Sequence, residues 1–107
     1  MEKEYTIFLT PDDRIDIRII VEKGEVVEFV VNHRSFINNV WKEIYRVDTA
    51  HGYLHEQRFW ISQKPIPLKG FEVISRNHVF NIFLDHLKKN WMRYKDLYEK
   101  GEKNEKK

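Results

Sequence analysis

The hydrophobic period of this chain changes once, and that change limits the fold more than any other feature. From Arg14 to Val21, polar Arg14, Asp16 and Arg18 alternate with Ile15, Ile17, Ile19 and Val21. Period two with β-branched side chains predicts a half-buried strand. Near the other end, Phe80, Leu84, Leu87, Trp91, Tyr94 and Tyr98 recur every three or four positions, and Phe83 widens the stripe. That is one apolar face of a long α-helix.

Between these segments the turn residues mark a meander. Tyr5–Leu9 predicts a first strand, closed by Thr10-Pro11-Asp12-Asp13. Glu22-Lys23-Gly24-Glu25 is a hairpin turn, and Val26–Phe36 returns as a strand with Val27, Phe29 and Val31 on one face. Asn38-Asn39 turns the chain into Val40–Asp48, and Thr49–Gly52 turns it into Tyr53–Ile61. Pro65 and Pro67 make Ser62–Gly70 an extended connection. Ser75 or Asn77 can cap the helix, and Lys88, Lys89, Arg93 and Lys95 suit its negative end. The expected fold class is α+β: a four- or five-stranded antiparallel meander with one long C-terminal helix on one face. Without the helix, one face of the sheet would be a wet apolar patch. Residues 1–98 form one domain, and the charged stretch 99–107 is read as a disordered tail.

With 107 residues, the chain holds one core and needs no metal or disulfide to fold. The absence of cysteine excludes a disulfide scaffold, a thiolate metal site and thiol catalysis. Nineteen basic and seventeen acidic residues give a net charge of +2, far from a DNA-packaging protein. No apolar run is long enough to span a membrane, and the charged start does not resemble a signal peptide. A cytoplasmic location is therefore expected. The single alanine (Ala50) and two glutamines beside abundant Lys, Glu and Ile resemble a thermophile's composition.

The densest polar run is Tyr45 to Arg58. If residues 49–52 close a hairpin, 48 faces 53, 47 faces 54, 46 faces 55 and 45 faces 56. Directly opposed side chains lie about 4.5–5.5 Å apart at Cβ. Arg46 and His55 then share a polar face with Asp48, and His51 sits in the turn above. An imidazole can move a proton, a guanidinium can hold a phosphate, and a carboxylate can orient the imidazole. This set is the candidate catalytic group of a metal-independent ribonuclease. The competing reading is a set of solvated cross-strand pairs in which Asp48 and Gly52 serve only the turn.

Asp48, His51 and His55 could also be weighed as metal ligands, but a turn and a strand do not give the shared face that His-x3-His has on a helix. No metal and no cofactor are expected. His33 is a more distant candidate for the polar face, and His86 is read as a surface or boundary residue. Arg14, Arg18, Arg34, Arg46 and Arg58, interleaved with Tyr53, Phe59 and Trp60, give partial support for RNA binding, diluted by Asp16, Glu28, Glu43 and Glu56. Trp41 and Trp60 fit core or interface positions better than base platforms.

The helix poses a further problem. At about 37 Å it outruns a strand of typical length, roughly 17–20 Å. Trp91, Met92, Tyr94, Leu97 and Tyr98 would overhang, which predicts a homodimer through the helix end.

The run Tyr45-Arg46-Val47-Asp48-Thr49-Ala50-His51-Gly52, after a charged hairpin and before His55, resembles the R-x-D-x-A-H stretch of TumE-like toxins and related small archaeal domains. That resemblance implies a sheet-plus-helix protein acting on RNA or translation, with an antitoxin protein as partner. Its carry-over falls on Arg46, Asp48, His51 and His55. The alternative is a non-catalytic dimeric module that binds a protein or nucleic acid.

Overall fold

The computed structural model describes residues 1–105. Six strands run β1 (Glu2–Thr10), β2 (Asp13–Glu22), β3 (Glu25–Ile37), β4 (Val40–Asp48), β5 (His55–Arg58) and β6 (Ile66–Pro67). A 3₁₀ turn at Ala50–Gly52 separates β4 from β5, and helix α1 spans Arg76–Glu105. Each strand pairs antiparallel with the next, so the spatial order of the sheet is the chain order. The α+β meander with one C-terminal helix is as expected. The sheet has six strands rather than four or five, because Ile66 and Pro67 add a short sixth at the edge beyond β5. Proline is tolerated there because an edge strand has one side free of ladder bonds.

Two tight turns set the register of the long strands. Lys23-Gly24 and Asn38-Asn39 all take positive φ, as a two-residue hairpin loop matching the sheet's twist requires. Side-chain parity then sorts the two faces. Asp13, Ile15, Ile17 and Ile19 of β2 oppose Ser35, His33, Val31 and Phe29 of β3. This face lies under α1, whose Val79, Phe80, Phe83, Leu87 and Tyr94 complete the core. A register shift between β3 and β4 leaves Ile44 without an opposite residue, so Ile44 and Tyr45 are both buried although adjacent in sequence. Ser75 caps the helix: its Oγ accepts the His78 N–H at 3.2 Å.

The helix end does not overhang. β3 has 13 residues, about 43 Å of strand, beneath a 30-residue helix of about 45 Å. A strand of typical length was the wrong yardstick. Tyr94 is buried and Trp91, Leu97 and Tyr98 are packed against the core; of the expected overhang only Met92, at 68% exposure, faces outward. The geometric reason for a dimer through the helix end therefore falls away.

The helix also continues past position 99. Lys100 pairs with Asp96 at 2.9 Å, and Gly101 lies against the backbone of Trp60. Helix α1 thus runs on to Glu105, past the expected start of the tail at 99; residues 106–107 lie outside the described residues.

Candidate functional site

The β4–β5 register pairs Tyr45 with Arg58, Arg46 with Gln57, Val47 with Glu56 and Asp48 with His55. It differs by two residues from the expected register because the loop runs from 49 to 54 rather than 49 to 52. A slip of two keeps every side chain on its face. Arg46, Asp48 and His55 therefore share the outer face, away from α1, but Arg46 opposes Gln57 and it is Asp48 that opposes His55.

These three side chains close on one another. Arg46 Nε donates to Asp48 Oδ2 at 2.6 Å, and His55 Nε2 lies 2.9 Å from Asp48 Oδ1. Asp48 Oδ1 also accepts the Ala50 N–H at 2.9 Å. The other ring nitrogen of His55, Nδ1, lies 3.2 Å from the carbonyl oxygen of Tyr53. Both ring nitrogens are thus turned to protein oxygens, one to a carboxylate and one to a carbonyl. Asp48 is 1% exposed and His55 5%, and the Tyr53 ring lies over the imidazole at 4.9 Å. An imidazole so enclosed turns neither nitrogen to a substrate. His51 stands apart, exposed at the loop apex with φ of 66°. Among the described residues no hydrogen bond or ion pair joins it to the other three.

The same closure extends across the outer face. Asp16 takes Arg14 Nε at 3.0 Å and Arg34 at 2.5 Å. Glu43 lies within 3.8 Å of Arg34 and Arg46, and Arg18 pairs with Glu2 and Glu4. Burial pushes the Asp16 carboxyl up, but hydrogen bonds from Thr6 and Arg34 and the nearby guanidinium charges outweigh it and hold it below the usual range. The Arg14 guanidinium covers the Trp41 ring at 4.2 Å. The four arginines expected to grip phosphates on this face are thus each engaged by carboxylates. Beneath them Asn32 is 2% exposed; its amide N–H donates to Glu43 at 2.7 Å, and its Oδ1 has no partner.

What the brace holds is the loop. Thr49 ties it to β3 from two atoms: its N–H donates to the Phe29 carbonyl at 3.1 Å, and its Oγ1 accepts the Phe29 N–H at 3.0 Å. With Ala50 fixed by Asp48 and Tyr53 by His55, the loop becomes one wall of a cavity of about 300 Å³. Leu54, Leu68, Phe71, Ile74 and Val79 supply its apolar surface, and Lys69, Glu72 and Arg76 reach its mouth. Leu68 N–H donates to the Leu54 carbonyl at 3.0 Å, which ties two of the lining residues together.

A second polar group was not foreseen. Asp13, His33 and Ser35 lie on the inner face under α1, all buried. Asp13 accepts from Thr10 at 2.9 Å, from Lys95 Nζ at 3.0 Å and from Ser35 Oγ, and it lies 3.4 Å from His33 Nε2. Burial pushes Asp13 up, yet the bonds from Ser35, Lys95 and Thr10 and the Lys95 charge hold it below its ordinary value. Burial pushes His33 down, against the pull of Asp13. His33 therefore belongs to the helix side, not to the Arg46 face. The signal was present in the sequence: Asp13 continues the inward parity of Ile15 and Ile17, and His33 and Ser35 that of Phe29 and Val31.

Further along this face Tyr94 is sandwiched between Tyr45 and Trp60 at 5.0 and 5.1 Å. Tyr45 OH donates to Glu56 at 2.5 Å, and burial with that carboxylate raises its pKa far above the usual phenol range. Trp60 is thus a core-flanking ring. His86, an exposed helix residue, meets Tyr94 OH at 2.5 Å. Among the described residues no three His, Asp or Glu side chains gather as a metal site, and no helix is long and apolar enough to cross a membrane.

Compared with known families, residues 1–104 match the family model described as Domain of unknown function (DUF7718). Neither the curated proteins nor the solved structures give a match.

Proposed function

The chain belongs to the DUF7718 family, and for this member we propose a non-catalytic ligand-binding module whose seat is the cavity beside loop 49–53. One observation carries the reading: Asp48 and His55 each end on the backbone of that loop, at Ala50 N and Tyr53 O. A catalytic imidazole needs a ring nitrogen within reach of substrate. This pair has spent its hydrogen-bonding capacity on shaping a cavity wall. Pockets that seat small molecules are concave, mostly apolar and preformed, with a few fixed polar groups, and the cavity at Leu54, Leu68 and Phe71 has that character. Arg46, Asp48 and His55 are then positioning residues, and the toxin-like RNA chemistry implied by the resemblance has no open acid–base group among them.

Two measurements test the reading. Indole titrated into isotopically labelled protein is expected to shift the amide resonances of Gly52, Tyr53, Leu68 and Phe71 and to leave those of β1 unmoved. Single-stranded RNA incubated with the protein is expected to stay intact. RNA cleavage that disappears in His55→Gln, with the melting temperature kept, would restore the ribonuclease reading and overturn this one.

A further inference from the structure

We infer that the cavity takes a small amphiphile with an apolar body and a single anionic head, of the class of a medium-chain or aryl carboxylate. This rests on the binding-module reading and adds the chemistry of the ligand.

The argument begins with charge. On the outer face Arg14, Arg18, Arg34 and Arg46 are each held by carboxylates. At the mouth of the cavity the situation is the reverse. Among the described residues neither Lys69 nor Arg76 enters an ion pair, and both line the mouth. The one acid there, Glu72, turns its carboxylate to the Gly70 N–H at 2.9 Å. Two cations against one acid leave the mouth net positive. Arg76 is half-buried and Lys69 exposed, and a guanidinium can meet a carboxylate with two parallel N–H bonds where an ammonium acts as a point charge.

Shape sets the rest. A volume of about 300 Å³ sits at the low end of small-molecule sites, roughly 300–1,000 Å³. Leu54, Leu68, Phe71, Ile74 and Val79 line it; none of these offers a side-chain hydrogen bond. This apolar lining fits a chain or ring, and the charged partners are the exposed Lys69 and Glu72 and the half-buried Arg76. A nucleotide would place a polar base and sugar against aliphatic side chains, at the cost of unpaired donors and acceptors. A carboxylate with an apolar tail leaves no polar atom inside.

Titration calorimetry with three probes of one length decides the matter: octanoate, octan-1-ol and octylammonium. Octanoate is expected to bind in the millimolar range or tighter, octan-1-ol about tenfold more weakly, and octylammonium not at all. Arg76→Gln is expected to weaken octanoate about tenfold and to leave octan-1-ol unchanged; Lys69→Gln has the same sign and a smaller effect. Equal binding of octanoate and octan-1-ol, or octanoate binding indifferent to both substitutions, would overturn the anionic class while leaving the cavity a binding site. Binding of none of the three probes, nor of indole, overturns both readings together.

Discussion

Asp48 and Asp13 are the same device built on opposite faces of one sheet. Each is a buried carboxylate that collects a cationic side chain, a histidine ring and a further donor: Arg46, His55 and Ala50 N–H for one, Lys95, His33 and Ser35 for the other. They differ in what they join. Asp48 gathers groups from β4, β5 and the loop between them, all within ten residues of sequence. Asp13 gathers β1, β3 and the far half of α1, its partner Lys95 lying 82 positions away. A local brace shapes a loop, whereas a long-range brace holds the helix on the sheet. The same chemistry therefore has a functional consequence at one place and a folding consequence at the other.

Substitution separates the two most sharply at Asp13. Asp13→Ala leaves buried Ser35 and His33 and half-buried Lys95 without their acceptor, and breaking a buried pair from one side costs about 3–5 kcal/mol. Urea unfolding is expected to show a loss of that order, and a loss below about 1 kcal/mol would break the contrast. Asp48→Ala strands fewer groups, since Arg46 can turn to Glu43 or to water. Its expected cost is about 2 kcal/mol. The added signature is local: hydrogen exchange at Ala50 and Tyr53 should accelerate more than at core amides of β3, because only the loop loses its brace. Exchange that rises uniformly would make Asp48 a global element like Asp13.

How far these sites could be read from sequence follows from the range of the interactions. The strands of β2 to β4, their turns and the helix stripe are local patterns, and Ile15, Phe29 and Leu87 stand where period two and period 3.6 place them. The shared face of Arg46, Asp48 and His55 was legible because parity survives a two-residue error in loop length. Their closure was not, because it depends on loop backbone turning back to Asp48 and His55. The missed strand β6 is two residues with a proline, too short for any periodic signal. Asp13 and Lys95 could be paired only with the helix docked. His33 alternates in step with Phe29 and Val31, and that parity places it beneath α1 rather than on the Arg46 face.

The smallest expected effect is on pH dependence, and it belongs to the inner face. Burial holds His33 below its ordinary value, with the Lys95 charge acting the same way and Asp13 opposing. A histidine whose folded pKa is depressed binds fewer protons folded than unfolded, so its contribution is complete above about 6.5 and shrinks as the pH falls. Asp13, also depressed, contributes fully above about 3.8 and loses that contribution as acid protonates it in the folded state. Stability should therefore fall in two stages on acidification, His33 beginning below about pH 6.5 and Asp13 below about pH 4. His33→Gln should flatten the first stage and leave the second. The slope of unfolding free energy between pH 7 and 5, taken from urea titrations of wild type and His33→Gln, measures the difference directly. Equal slopes would mean that the unfolded chain and the buried ring hold their protons alike.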